Sequence, residues 1–261
     1  MPQERHPLEE GQVFLVDKPL GWTSFNVVSR VRNWAHRTVG RRVKTGHAGT
    51  LDPLATGLLI ICTGGFTKKI ESYQAQPKEY TGTFVLGATT RSHDLESEVM
   101  EGGSLDEINE TRIREAALHF TGDILQVPPQ FSAVKVQGKR AYQYARASKT
   151  LELEAKPIHI YEFGISRIEL PEVDFRILCS KGTYIRAIAR DFGEYLGCGA
   201  YLSALRRTRI GDFRVEEARN IDEFLPRRDI DAAVPEPAAT LRTDCQAPAS
   251  ELPDGVSQIQ A

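Results

Sequence analysis

One short segment of the chain could both bind a ligand closely and act on it, GHAGTLDPLATG over residues 46–57. Its glycines let the backbone approach a ligand, and His47, Thr50 and Asp52 supply polar groups. No carboxylate lies between Asp17 and Asp52, whereas several basic residues do. Because positive surroundings favour the ionised form of a carboxylate, Asp52 could act as a nucleophile or a base.

The same aspartate also has a purely structural interpretation. Asp52 is followed by Pro53, and aspartate at an N-cap with proline at the first helical position is a common way to begin a helix. The spacing alone slightly favours this helix start over catalysis.

A second segment, CSKGTYIRAIARDFG over residues 179–193, predicts a strand that turns through Gly182 into a helix. Arg186 and Arg190 share one face of that helix. An arginine near a helix start is unfavourable beside the positive end of the helix dipole, so a negative partner is expected. Asp52 is a candidate, although exposed arginine pairs on helices are common and need no such partner.

Tyr80 is predicted at the start of a strand. Its ring could stack on a base extracted from RNA, but a tyrosine in a strand is more often packed into the sheet. At this point three functions stay open: RNA modification, RNA binding without chemistry, and phosphodiester hydrolysis.

Composition narrows the class of protein. The 261 residues are 41% hydrophobic, which allows one large domain or two small ones, and no apolar run is long enough for a membrane span. The cysteines and histidines have no metal-ligand spacing, so no metal is expected. We therefore expect a cytoplasmic monomer that does not associate with membranes.

Charge is unevenly distributed along the chain. Residues 215–261 carry a net charge of −6, which leaves +4 on residues 1–214. All charged residues between Asp17 and Asp52 are basic. Arg206, Arg207 and Arg209 form a second basic group. Such surfaces attract polyanions, although a solvated basic helix face is the more ordinary explanation of charge alone.

Periodicity and turn residues predict strands mixed with helices, hence an α+β (mixed α/β) domain with hairpin-like pairings. Strands are predicted at Val13–Val16, Leu58–Cys62, Tyr80–Leu86, Ile158–Leu170, Val173–Cys179 and Leu202–Ile210. Helices are predicted from Thr23 or Ser24 to about His36 with Phe25 on the apolar face, from a Ser104 cap to His119, and from Thr183 to about Leu196. The stretch from Gln126 to Ser148 is predicted to form an arm with a basic helix. The composition beyond about residue 228 is typical of a disordered tail.

Six ordered segments closely resemble the TruB family of bacterial tRNA pseudouridine synthases. They are DKPLGWTS from Asp17, KTGHAGTLDPLATG from Lys44, KEYTGTFVLGATT from Lys78, PPQFSAVKVQGKRAY from Pro128, CSKGTYIRAIARDFG from Cys179 and YLSALRRTRIGDF from Tyr201. The resemblance implies a catalytic domain over residues 1–230 with a central, largely antiparallel mixed sheet, an RNA-gripping insertion at about 126–148, and a low-complexity tail at 231–261. It implies isomerisation of uridine 55 in the TΨC stem-loop of tRNA by base flipping, with no cofactor, and it leaves an additional tRNA-folding role open.

The resemblance also assigns residues. Asp52 would be the catalytic carboxylate, acting by sugar attack, uracil attack or sugar deprotonation. Arg186 would pair with Asp52, Tyr80 would stack on the flipped uracil, Leu205 would line the base pocket, and His47 would fill the vacated stack. Tyr184 and Asp94 would be further substrate contacts. The RNA backbone would be held by Arg41, Arg42, Lys44, Lys135, Arg140, Arg206 and Arg207.

Two departures from the family pattern are visible. The sequence RSHDLESEV follows GATT from residue 91, where the family has a glycine-bearing acidic turn. The residues after about 230 are too few and too polar for the small C-terminal PUA domain of many relatives, so no complete PUA domain is expected.

Overall fold

A ten-stranded mixed sheet forms the centre of the protein. The structure, a computed structural model, describes residues 5–132, 135–136, 139–140 and 153–224. The strands of this sheet are β1 (Val13–Lys18), β2 (Thr45–His47), β3 (Ala55–Thr63), β4 (Lys78–Leu86), β7 (Gly122–Gln126), β10 (Lys156–Glu169), β11 (Glu172–Cys179), β12 (Ala200–Ile210), β13 (Phe213–Arg214) and β14 (Arg219–Asn220). Two small pairs lie outside it, β5 (Ala88–Thr90) with β6 (Val99–Glu101) and β8 (Lys135–Val136) with β9 (Lys139–Arg140).

The strand order is β14-β1-β3-β12-β4-β11-β10-β7, with β13 beside β12 and β2 beside β3. Most neighbours run antiparallel, and the parallel pairs are β1 with β14 and β3 with β12. The predicted α+β class with a largely antiparallel mixed sheet is therefore confirmed. The predicted strands are all present, most of them longer than expected.

Helices flank the sheet: α1 (Pro7–Glu10), α2 (Ser24–Val39), α3 (Ile70–Ala75), α4 (Glu110–His119) and α5 (Ile185–Leu196). Short 3-10 turns occupy Gly64–Lys69, Val215–Glu217 and Ile221–Phe224. Within the described residues, no helix combines the length and the apolar character that crossing a membrane requires.

Helix α2 begins where the sequence predicts, because the side chain of Thr23 accepts a hydrogen bond from the backbone N–H of Asn26. Val27, Val28 and Val31 are buried against β1 and β3. The predicted apolar face was wrong at Phe25, which is 64% exposed. Its ring lies under the guanidinium of Arg32, 5.6 Å from the ring centroid.

Helix α5 packs its apolar side on the middle of the sheet. Phe192 lies in the core against Phe84, which stacks on Phe175 with ring centroids 4.2 Å apart. Gly197, at φ 80°, ends the helix in a left-handed conformation. This packing fixes the helix start, and with it Arg186, relative to β4 and β11.

The predicted start of α4 was wrong. Asn109 caps the helix by accepting from the backbone N–H of Arg112, whereas the Ser104 hydroxyl accepts from the N–H of Asp106 within a local turn. Both residue types cap helices or stabilise turns equally well, and the sequence does not distinguish the two uses.

Most of the predicted arm at residues 126–148, with its basic helix, and the tail at 231–261 lie outside the described residues. Only the backbone pairing of β8 with β9 is described for Lys135 and Arg140, and their side chains are not.

Candidate active site

Asp52 lies in a turn between β2 and β3 that belongs to no helix, so its interpretation as a helix N-cap was wrong. The buried hydroxyl of Ser24 accepts from the N–H of Leu51 at 2.8 Å and donates to its carbonyl oxygen at 3.1 Å. The N–H of Gly21 donates to the carbonyl oxygen of Pro53 at 2.9 Å. The start of α2 and the turn before it therefore hold the backbone on both sides of Asp52.

Lys18 is a buried cation that supports the same turn. Its Nζ donates to the carbonyl oxygens of Pro19, Trp22 and Pro53, at 2.9, 2.6 and 3.3 Å. Burial lowers the pKa of Lys18 to about 8, although the negative charge of Asp52 acts in the opposite direction. The sequence analysis predicted no role for Lys18. Its position at the end of a strand and directly before Pro19 was the feature that could have indicated one.

Arg207 was predicted to hold the RNA backbone, but its side chain donates hydrogen bonds to the protein's own backbone instead. Its side chain is only 1% exposed, and it donates to the carbonyl oxygens of Leu58 at 2.8 Å and Gly49 at 3.1 Å. Its backbone also passes Gly57 so closely that a Cβ there would lie 2.3 Å from the Arg207 carbonyl oxygen. Arg207 therefore holds both ends of the Asp52 segment in place, because its donors point into the protein.

Arg186 joins two carboxylates at the start of α5. Its Nε lies 2.9 Å from Oδ2 of Asp52 and 3.4 Å from Oδ2 of Asp94. Its other nitrogens donate to the carbonyl oxygens of Ser92 at 3.1 Å and Phe131 at 2.9 Å. The Arg186 side chain is 5% exposed and the Asp52 side chain is 40% exposed. The carboxylate of this ion pair is therefore the group that reaches solvent.

Asp94 was predicted to contact the RNA, and the structure does not support that role. Its side chain is as buried as that of Arg186, and its Oδ1 accepts from the backbone N–H of Glu96. The hydroxyls of Ser92 and Thr90 both donate to the Asp94 carbonyl oxygen. Asp94 is therefore a second, internal partner of Arg186.

His93, beside this pair, adopts a left-handed backbone conformation with φ 62°. Burial lowers the pKa of its imidazole to about 4, and the charges of Arg190 and Arg186 add to the effect. The imidazole is therefore neutral at physiological pH.

A cavity of about 910 Å³ opens in front of Asp52. Of the predicted substrate contacts, Tyr80, Tyr184, Arg186 and Leu205 line it, whereas His47 and Asp94 are not among its lining residues. Burial raises the pKa of the Tyr80 hydroxyl, so this ring stays neutral. A carboxylate, an aromatic ring and an aliphatic wall thus face one solvent-open cavity, which suits a planar base and its sugar.

Two family models match consecutive parts of the chain. The TruB family pseudouridylate synthase (N terminal domain) matches residues 36–185, and the tRNA pseudouridylate synthase B C-terminal domain matches residues 186–228. The chain belongs to the TruB family.

Relatives within the TruB family align along nearly their full length. The tRNA pseudouridine synthase B of Flavobacterium johnsoniae is 54% identical over 82% of this chain and 95% of its own. That of Phocaeicola vulgatus is 49% identical over 87% of this chain and 99% of its own.

Solved structures with the same fold include a chain of a Cbf5-Nop10-Gar1 complex, with a TM-score of 0.59 and 30% identity over 79% of this chain. The match spans only 50% of that longer chain. A chain of an H/ACA RNP bound to a substrate RNA containing 2'-deoxyuridine gives the same TM-score at 27% identity, over 82% of this chain and 52% of its own.

The predicted backbone-binding residues of this TruB-family chain have different surroundings. Arg41 is exposed and pairs with Glu9 through two nitrogens, at 2.5 and 2.6 Å. Arg42 and Lys44 are exposed. Arg206 pairs with Asp17 at 2.6 Å while 41% of its side chain stays exposed.

The sequence analysis of this TruB-family chain did not single out several residues of the cavity lining, among them Gln74, Lys78 and Lys181. Lys78 is buried and donates to the carbonyl oxygens of Gln74 and Gln76 at the end of α3. Burial lowers the pKa of Lys78 to about 8, and the positive charge of Arg207 also lowers it. Strand alternation from Tyr80 would have placed Lys78 on the same face.

Across the described residues, no group of three or more His, Cys, Asp and Glu side chains could hold a metal ion. Cys62, Cys179 and Cys198 are buried and free.

Proposed function

We propose that this chain is a tRNA pseudouridine synthase that isomerises uridine 55 in the TΨC stem-loop, with Asp52 as its catalytic carboxylate. The observation that carries the proposal is the half-exposed Asp52 carboxylate, held by buried Arg186 at a cavity that Tyr80 and Leu205 also line. Family membership supports the same reaction.

The reaction exchanges one bond to the ribose for another within a single nucleotide. The bond between uracil N1 and C1′ breaks, a bond between C5 and C1′ forms, the proton on C5 leaves, and N1 gains a proton. No oxidant or reductant is needed. Because the detached uracil must turn without diffusing away, the site has to be enclosed around the base.

The residues divide the work by position. The Arg186 contact orients the Asp52 carboxylate and leaves part of it facing the cavity. Tyr80 would stack on the flipped uracil, Leu205 would close its other side, and Tyr184 would border the sugar. His47 would fill the space that the base leaves in the RNA. Extraction of a base costs a few kcal/mol, which stacking on Tyr80 would partly offset.

The three routes for Asp52 share one requirement. Attack on the sugar, attack on the uracil ring and removal of a sugar proton all begin with a charged carboxylate. We further propose that the catalytic domain extends over residues 1–230, and that it acts as a monomer in the cytoplasm, where tRNA is modified.

The test compares Asp52→Asn with Asp123→Asn on an unmodified tRNA transcript. Asp123 is a matched control because its side chain is 93% exposed and lies on the edge strand β7. The transcript carries tritium at uracil C5, so isomerisation releases tritium to water, and the modified position is then mapped. We expect Asp52→Asn to slow single-turnover release by at least about 10³-fold, while Asp123→Asn behaves as wild type. Unchanged release by Asp52→Asn, or a wild type that modifies no uridine, would overturn the proposal.

A further inference from the structure

The cavity must accept an anion although a negative carboxylate faces it. Each RNA nucleotide carries a phosphate, and Asp52 adds its own charge to the site. Among the described residues, four cationic side chains line the cavity: Lys78, Lys181, Arg186 and Arg207. The question is which of them has donors left for a phosphate.

Three of the four are already committed to the protein. Arg186 donates to Asp52 and to two backbone carbonyls. Arg207 and Lys78 donate to backbone carbonyls, and all three side chains are buried. Turning any of them towards a ligand would leave buried acceptors unpaired, which costs about 1–3 kcal/mol for each.

Lys181 differs from them in both exposure and contacts. Its side chain is exposed, and within the described part of the chain it makes no hydrogen bond or ion pair. Its ammonium group therefore has all three donors available, and no internal contact has to break when an anion binds.

The sheet register places Lys181 at the outer end of the cavity. Ile177 pairs with Tyr80 and Cys179 pairs with Lys78, so the chain leaves β11 beside Lys78 and reaches Lys181 two residues later. Lys78 lies about 7 Å from Tyr80 along β4. The positive charge of Lys181 also reaches Lys78, where it contributes to the lowered pKa of that lysine. A base against Tyr80 would thus have its sugar–phosphate backbone on the Lys181 side.

We propose that Lys181 is the phosphate anchor of the cavity, binding a backbone phosphate of the nucleotide whose base lies against Tyr80. This inference rests on the proposed function, since it takes RNA as the ligand. A lysine suits this role because its ammonium is a compact point charge that binds phosphate without a fixed geometry. The contact holds substrate and takes no part in the bond exchange.

The test measures how salt affects binding of an unmodified tRNA transcript to the full chain. Each phosphate contact contributes about 0.7–0.9 to the slope of log affinity against log salt concentration. We expect Lys181→Ala and Lys181→Gln to lower the slope by that amount, and to weaken binding about five- to eightfold at 0.1 M salt. Lys181→Arg should keep the wild-type slope.

Lys156→Ala is the matched control, since Lys156 is also exposed and does not line the cavity. A wild-type slope in Lys181→Ala and Lys181→Gln, or an equal fall in Lys156→Ala, would overturn the anchor. If the wild type binds RNA but makes no pseudouridine, the proposed function fails while the slopes still decide the role of Lys181. If the wild type binds no RNA, both fail.

Discussion

Replacing Arg207 by methionine separates two roles that an arginine beside an RNA site can have. The structure buries this side chain and directs it at the carbonyl oxygens of Leu58 and Gly49, on either side of Asp52. Methionine keeps much of the volume and removes every donor. We therefore expect a less stable protein in which the turn around Asp52 is displaced, and an unchanged electrostatic contribution to RNA binding.

The expected magnitude follows from those two hydrogen bonds. Hydrogen bonds from a charged donor contribute about 1.5–3 kcal/mol each. Their loss is partly offset because methionine needs no desolvation of a buried charge, so the free energy of unfolding should fall by about 2–4 kcal/mol. For a domain of this size the Tm would drop by roughly 5–15 °C. A shift of about 1 Å at Asp52 would slow single-turnover isomerisation by up to about 100-fold.

Three measurements check this expectation: thermal unfolding, single-turnover tritium release, and the salt dependence of tRNA affinity. Arg219→Met is the control, because Arg219 is exposed on the edge strand β14 and should leave the Tm and the rate unchanged. An unchanged Tm in Arg207→Met, together with a salt slope reduced by about 0.9, would refute the reasoning. Arg207 would then contact phosphate, as the sequence had suggested.

Two further variants test the surroundings of Arg186. Asp94→Asn removes a buried negative charge from beside Arg186. We expect the free energy of unfolding in urea to fall by about 1–3 kcal/mol and single-turnover isomerisation to slow at least about tenfold. Wild-type values for both would contradict an Arg186 ion pair shared by Asp52 and Asp94. His93→Asn addresses pH: the pKa of folded His93 is about 4 and the ordinary value is 6.5, so the unfolded chain takes up its proton first as pH falls, and stability is lost between those values. Between pH 7 and pH 4.5, measured by urea unfolding, the free energy of unfolding of His93→Asn should therefore fall by up to about 3 kcal/mol less than that of the wild type. The exposed control His36→Asn should lose as much stability as the wild type. Equal acid sensitivity in His93→Asn and the wild type would exclude His93 as the cause.

The sequence was most informative where the pattern is local. Strand alternation and turn residues located β4, β10, β11 and β12, because one buried face imposes a period of two. The glycine-rich segment around Asp52 was recognised by composition, and the position of Arg186 near a helix start indicated a negative partner. That partner proved to include Asp52 at hydrogen-bond distance.

Burial was the information that the sequence did not contain. Arg206 and Arg207 are adjacent in the chain, yet alternation along β12 leaves one half-exposed and directs the other into the protein. Asp94 lies 92 positions from Arg186, and only the packing of the 90–97 loop on α5 brings them together. Such pairings depend on tertiary contacts, to which local propensity is insensitive.

The central place of β12 has a consequence for synthesis of the protein. This strand is added between β3 and β4, although both leave the ribosome more than a hundred residues earlier. Until β12 is made, β3 and β4 of the nascent chain have no strand between them, and the cavity lacks Leu205. The segment around Asp52 also lacks its hydrogen bonds from Arg207. The proposed active site can therefore assemble only after β12 has been synthesised, and products truncated before β12 should be inert.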